Sequence, residues 1–261
     1  MSKRTPCSTI GRLVLYPAIH TNLTNGGDLI ENTAILAWSG GKDSALALYE
    51  LTRRQNVKIV ALLTTVTEGY DRISMHGVRR ELLVEQAAAL GYPLEEVPIP
   101  QQCTDEVYEQ RMQQALEKYR RAGVIQAAFG DLFLEDVRAY REERLGRIGM
   151  RGIFPLWGRN TAELARQFVQ LGFRAIVVCV DTEALDRAYA SREVDVAFLE
   201  DLPPGVDPCG ENGEFHTFVY AGPLFRRPIH VERGEKVLRD DRFYYCDLVG
   251  AATTAGGQPA A

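Results

Sequence analysis

Paired cysteines, long apolar runs and a surplus of positive charge are all missing from this 261-residue chain, and each absence removes a class of function. The five cysteines, Cys7, Cys103, Cys179, Cys209 and Cys246, are scattered with no Cys-x-x-Cys pair, which argues against a disulfide framework and leaves reduced thiols as the default reading. No apolar run reaches the roughly 18 to 20 residues of a membrane span. The N-terminus has no charged-then-apolar signal pattern, so the expectation is a cytoplasmic protein with no membrane partner. Acidic residues outnumber basic ones, 35 to 30, for a formal charge of −5 and a pI near 5.5. That balance supplies no general field for a polyanion and weighs against nucleic acid as a partner. What remains is 46% apolar and 25% charged residues, the composition of an ordinary globular protein of one large or two small domains.

Residues 1–32 mix Pro, Thr, Asn and Gly without a sustained period and read as a flexible leader. The Ala, Gly and Thr-rich stretch 251–261 reads as a flexible tail. Between them, strand-like and helix-like stretches alternate: Thr33 to Trp38 and a helix from Ser44, then Lys58 to Thr65 and a helix from about Gly77 to Leu90. Leu94 to Ile99, Thr104 to Arg121, Val124 to Phe129, Glu135 to Met150 and Gly152 to Leu156 continue the series. This order predicts an α/β fold, a doubly wound parallel sheet with crossover helices. Val78, Leu82, Leu83, Ala87 and Leu90 recur at the helical period and are expected in the core. After Gly158, Asn160 with Glu163 three residues on fits a helix N-cap, and Arg174 to Val180 reads as a β-branched strand. Ala184 to Leu202 reads as helical, and a hairpin is expected over Ile229 to Leu248 around Arg233-Gly234-Glu235. The expected organisation is therefore 33–158 as one α/β domain and 159–250 as a smaller α+β domain.

The most informative residues are Ser39-Gly40-Gly41-Lys42-Asp43-Ser44, set between an apolar strand and a helix. Two glycines allow a tight turn, so free N–H groups and the positive helix end face one spot where an anion belongs. The ordinary P-loop spacing fails, because Leu36 and Asp43 stand where it needs glycine and Ser or Thr. The pattern instead resembles the PP-loop of ATP pyrophosphatases, which cleave ATP between its α- and β-phosphates. That resemblance implies that Ser39, Gly40, Gly41 and Ser44 hold the pyrophosphate, that Lys42 adds charge, and that Asp43 positions Mg²⁺. Amide donors, a lysine and a divalent cation are what a pyrophosphate leaving group requires.

Further candidates lie at strand ends and turns. Thr64 closes the second strand beside the loop, near an adenine or ribose site, or it is simply a strand-end threonine. His76, just before a helix, could meet a phosphate or a substrate carboxylate, or cap the helix. Gly130 and Asp131 follow the strand Val124 to Phe129, where a carboxylate suits Mg²⁺, a substrate amine or a solvated cap. In the charged run 138–151, Arg144 is the residue singled out as facing the site. In Cys209-Gly210-Glu211-Asn212-Gly213-Glu214-Phe215-His216-Thr217, Glu214 and His216 share one strand face and Glu211 lies close across the turn. The group suits ammonia, ammonium or a cationic substrate, or general-base work; Cys209 and His216 lack the partners a zinc site needs.

With both clusters in view, residues 34–228 resemble the diphthine-ammonia ligase family of PP-loop enzymes. The resemblance runs through Ser39 to Ser44, the His76 region, Gly130-Asp131, Phe154-Pro155-Leu156-Trp157-Gly158-Arg159, Gly172-Phe173 and Cys209 to Phe218. It implies an ATP-dependent ligase that adenylates a carboxylate, releases pyrophosphate and lets ammonia displace AMP. ATP and Mg²⁺ are the implied cofactors; ATP, ammonia and a carboxylate acceptor are the implied partners. Lys42, Asp43, Glu211 and Glu214 take the catalytic roles, and His76, Arg144, Trp157, Arg159, Gly213, His216 and Thr217 the substrate side. Asn212 stands where the family has a second glycine, a change that Asn tolerates at positive φ. The sequence does not name the acceptor, and a homo-oligomer stays open. A tRNA-modifying PP-loop enzyme and a non-catalytic nucleotide sensor are the alternative readings.

Overall fold

The computed structural model describes residues 32–55, 57–69, 72–73 and 77–250; the leader up to residue 31, the tail from 251, and His76 lie outside them. Two sheets organise the chain. The first begins with β1 (Thr33–Ala37), followed by α1 (Lys42–Tyr49), which runs on into a π-helical turn at Glu50–Arg54. Next come β2 (Lys58–Thr67), the short β3 (Arg72–Ile73), α2 (Arg80–Leu90), β4 (Leu94–Ile99), α3 (Asp105–Arg121), β5 (Gln126–Ala128), α4 (Glu135–Arg147) and β6 (Arg151–Ile153). The parallel strands lie in the order β4-β2-β1-β5-β6, with β3 antiparallel at the end of β2. β1 is central, and its alternating side chains enter two cores, as a strand covered on both faces must. Ala34 and Leu36 pack with α1 and α2, whereas Ile35 packs with α3 and α4. The winding reverses between β1 and β5, and such a reversal opens a crevice at the carboxyl ends of the strands.

The remaining elements are α5 (Thr161–Gln170), β7 (Arg174–Asp181), α6 (Val196–Asp201), β8 (Phe215–Ala221), β9 (Val231–Arg239) and β10 (Phe243–Gly250). They form an antiparallel sheet ordered β8-β7-β10-β9. Asn160 caps α5 by accepting from the Glu163 amide at 3.0 Å, the role its spacing predicts. Phe168, Phe215 and Phe218, all fully buried, join the same core as α1 and α2. The second sheet is thereby packed against the first, with β8 beside the start of α1.

Two sequence expectations change. The stretch from Ala184 to Leu202 is not one helix: it holds a 3₁₀ turn at Arg187–Tyr189 and then α6. Asp186 and Asp195 each cap a new start by accepting amide N–H groups. Between them Ser191 sits at φ 75°, and backbone bonds tie this segment to β7: the Ser191 and Val194 amides donate to the Val177 and Ala175 carbonyls, and the Val177 amide donates to the Arg192 carbonyl. The hairpin turn is also displaced. It falls at Asp240 and Asp241, both at φ 51°, because Asp tolerates the left-handed region that a tight hairpin needs. Arg233-Gly234-Glu235 instead lies within β9, opposite the irregularity between Cys246 and Leu248.

Candidate functional site

The crevice at the β1/β5 reversal is a cavity of about 730 Å³, and it collects most of the residues singled out from sequence. Ser39, Gly41, Lys42, Asp43, Ser44, Thr64, Gly130, Asp131, Glu211, Gly213, His216 and Thr217 all line it. The N-cap of α1 is Gly41, which has no side chain with which to cap. A helix start leaves its first amides without intrahelical partners. Here the Gly41 amide donates to Ser39 Oγ at 3.2 Å and the Lys42 amide to Thr217 Oγ1 at 3.0 Å. Among the described residues, the Ser44 amide takes no partner and the Asp43 amide bonds only its own carboxylate, so both can turn to an incoming anion.

Two glycines keep that spot open. A Cβ on Gly41 would lie 3.1 Å from the Thr217 carbonyl oxygen, and one on Gly130 would lie 3.0 Å from the Asp43 carbonyl and 3.1 Å from the Ser44 nitrogen. Only a residue without a side chain lets the β5 loop come this close to the helix start. Gly40, at φ 80°, makes the turn itself and is gripped from behind: its carbonyl accepts from Val219 at 2.9 Å and from Gln86 Nε2 at 3.0 Å. The geometry fits a phosphate at the helix start, with amide donors, the helix dipole and a cradle too tight for a side chain.

Lys42 is buried, and its ammonium is shared between the two sheets. It donates to both Asp43 oxygens, at 3.0 and 2.9 Å, and to the Cys209 carbonyl, and it lies 5.3 Å from the centre of the Phe215 ring. Burial, the largest single influence, would lower its pKa, but the Asp43 carboxylate together with Cys209 and Asp207 outweighs it and holds the ammonium above the ordinary lysine value. Burial likewise raises the Asp43 carboxyl against the pull of Lys42. No group of three or more His, Cys, Asp or Glu side chains able to hold a metal occurs among the described residues. A Mg²⁺ ion here would take Asp43 together with phosphate and water oxygens, the arrangement this ion favours.

The second sheet contributes the loop 207–214. Glu211 reaches into the cavity and accepts from the Leu132 amide at 2.7 Å. Burial, reinforced by the nearby Asp43 and Asp131 charges, pushes its carboxyl up to about 7, where it can exchange a proton near neutrality. Glu214 is placed differently from the sequence expectation. It is buried within the loop and does not line the cavity. Its oxygens accept from the Asp207 amide at 3.0 Å and from the Asn212 backbone and side-chain amides at 3.0 and 2.9 Å, so this carboxylate builds the loop that carries Glu211. Thr217 caps Lys42 while lining the cavity.

Three other candidates lie away from the cavity. Arg144 pairs with Glu109 and borders a smaller cleft between α3 and α4. Trp157 packs under the Arg138 guanidinium, 4.7 Å from its ring centre. Arg159 ties the buried Glu50 to Gln167, at 3.1 and 2.6 Å. In place of Arg144, Arg141 lines the cavity, pairing with Asp131 at 2.7 Å and covering the Phe129 ring at 4.4 Å. A signal for it existed: Leu134, Arg141 and the buried Leu145 follow the helical spacing of an inward stripe. Arg242, bound to Asp181 at 3.0 Å through Nε, lines the cavity from the second sheet, and no sequence motif marked it.

Residues 32–152 match the family description of the diphthamide synthase N-terminal domain, and residues 160–249 that of the diphthamide synthase C-terminal domain. The diphthine–ammonia ligase of Mus musculus is 27% identical over 178 residues, 66% of this chain and 66% of that protein. That of Homo sapiens is 24% identical with the same coverage, and that of Danio rerio is 26% identical over 229 residues, 78% of this chain and 88% of its own length. The chain thus spans 66% of the length of these mammalian relatives.

Proposed function

The chain belongs to the diphthamide synthase family, and from that premise we propose that it is an ATP-dependent amide ligase of the PP-loop type. In this reading a carboxylate is adenylated, AMP and pyrophosphate are released, and ammonia becomes the amide nitrogen. The observation that carries it is a single cavity fed by both sheets, with an open helix start at Asp43 and Ser44 on one side and Glu211 on the other. A carboxylate oxygen is a poor leaving group and AMP a good one, so activation must come before amide formation.

Each residue has a physical task. The amides of Asp43 and Ser44 and the dipole of α1 face the charge that grows on departing pyrophosphate, and donors fixed in advance stabilise such charge most. Ser39 and Ser44, whose hydroxyls lie 3.3 Å apart, border the same spot. Lys42 brings its charge to the seam between the sheets, and Mg²⁺, when bound at Asp43, neutralises phosphate oxygens. Thr64, buried within β2, which runs on to Thr67 rather than closing at Thr64, borders the nucleoside side. Glu211 takes the proton that ammonium must lose to become a nucleophile, a task suited to a carboxyl that titrates near 7. Asp131 and Arg141 border the acceptor side. The division of labour places ATP on residues 33–158 and the ammonia step on residues 159–250.

The test is product analysis. ATP labelled at its α-phosphate is incubated with the protein, Mg²⁺, ammonium and fractionated cellular acids and proteins. AMP and pyrophosphate formed in step with an acid-to-amide mass change of one dalton support the proposal, whereas ADP and phosphate as the nucleotide products reject it.

A further inference from the structure

Behind the loop, on the side away from the cavity, lies a polar side chain that none of the steps above uses. Gln86 on α2 is fully buried, and its side chain makes three hydrogen bonds, all to other elements. Its Oε1 accepts from Trp38 Nε1 at 2.7 Å, and its Nε2 donates to the Gly40 carbonyl at 3.0 Å and to the Val219 carbonyl at 2.6 Å. The indole can only donate and the carbonyls can only accept, so the partners fix which way round the carboxamide sits. A glutamine in an apolar core is tolerated only when satisfied in this way. Trp38 precedes the loop, Gly40 is its turn, and Val219 is the β8 residue whose own amide also binds Gly40. One side chain therefore joins β1, the loop and the second sheet.

We propose that Gln86 is a positioning residue for nucleotide binding, holding the Gly40 peptide in its left-handed turn and locking β8 against the loop so that the Asp43 and Ser44 amides point into the cavity. The inference rests on the reading that this loop takes the phosphates of ATP. It also predicts that the second sheet forms part of the phosphate site through its grip on the loop. Thr217 touches the loop directly, at the Lys42 amide; Gln86 acts through the carbonyls of Gly40 and Val219.

The experiment measures Kd for Mg²⁺-free pyrophosphate and for α,β-methylene-ATP on the full chain, in wild type, Gln86→Met and Gln86→Glu. Gln86→Met keeps the length of the side chain but removes both donors, and a loss of affinity of about tenfold or more is expected. Phe168→Leu, a core change in α5 whose ring stacks on Phe173 beside Tyr49 at the C-terminal end of α1, is the control for lost stability: it lowers Tm but should bind as wild type. Gln86→Glu supplies the readout that a purely structural role would not move. When protonated, the introduced carboxyl can still donate to one carbonyl; when ionised, it faces both carbonyls with acceptors alone. The ratio of its Kd to that of wild type should therefore rise between pH 5.5 and 8.5. Its pH dependence is read in the folded fraction, so it remains informative if Gln86→Met fails to fold. Wild-type affinity in Gln86→Met, a flat Gln86→Glu ratio, or an equal loss in Phe168→Leu overturns the inference. A wild-type chain that binds neither ligand overturns the underlying reading instead, and this inference with it.

Discussion

Replacing Gly130 with alanine separates sterics from every other effect, because Gly130 does not occupy the left-handed region and the substitution adds one methyl group and no backbone strain. That methyl would lie 3.0 Å from the Asp43 carbonyl carbon and oxygen and 3.1 Å from the Ser44 nitrogen. These are backbone atoms at the start of a buried helix, so they cannot swing aside as a flexible side chain would. Overpacking of this kind costs about 1–3 kcal/mol of stability. The larger effect is expected in binding. Shifting the helix start, or covering the Ser44 amide, removes a charge-assisted hydrogen bond to phosphate worth about 1.5–3 kcal/mol, or about ten- to a hundredfold in Kd. Gly146→Ala is the matched comparison: it lies within α4 with nothing inside 4 Å, and should gain about 0.5–1 kcal/mol. Calorimetric titration with α,β-methylene-ATP and thermal unfolding read both quantities. If Gly130→Ala binds the nucleotide as tightly as wild type, the Asp43 and Ser44 amides are not the phosphate site.

Other expectations follow from the same geometry. Glu211→Gln should leave nucleotide affinity intact but abolish the rise in amide formation through pH about 7 that ionisation of Glu211 provides; a pH–rate profile unchanged by the substitution refutes the base role. The same raised pKa has a stability consequence of opposite slope. The contribution of the neutral carboxyl is full below the ordinary value of 4.5 and is lost as pH rises through about 7, so Glu211→Gln should flatten the Tm-versus-pH curve across that window. Glu214→Gln sets a donor against three donors and should cost about 1–3 kcal/mol, together with amide formation, while nucleotide binding persists; unchanged Tm contradicts the loop-building role. Asp43→Asn removes the counter-charge of the buried Lys42, so loss of turnover should come with lowered stability by urea unfolding, and an unaltered midpoint argues against the pair as described.

What was legible in the sequence is what depends on local pattern. The loop 39–44 between β1 and α1, the alternation of strands and helices, and the cap at Asn160 each follow from residues a few positions apart, whose propensities agree with the final fold. The Gly-Glu-Asn-Gly-Glu turn was visible as a polar cluster, but its two glutamates divide between cavity and loop interior because of partners at Leu132 and Asp207. No spacing rule shows that Gln86 lies 46 and 133 residues from the carbonyls it holds. The same holds for Thr217, which reaches the Lys42 amide across 175 residues. That Arg141 lines the cavity while Arg144 borders the neighbouring cleft was not legible for a different reason: an arginine-rich helix hides its inward stripe, since a guanidinium can lie on an aromatic ring and occupy a position that reads as solvated. In 184–202, repeated Asp caps broke a helix that the apolar content alone would have allowed to continue.

The central claim is that the turn at 39–44 holds the outer phosphates of ATP, and a crystal of the full chain soaked with Mg²⁺ and α,β-methylene-ATP tests it most directly. The account predicts β- and γ-phosphate oxygens within about 3 Å of the Asp43 and Ser44 amides, with the nucleoside toward Thr64 and the α-phosphate toward the Glu211 side of the cavity. A triphosphate bound elsewhere, with those amides facing solvent, would contradict it.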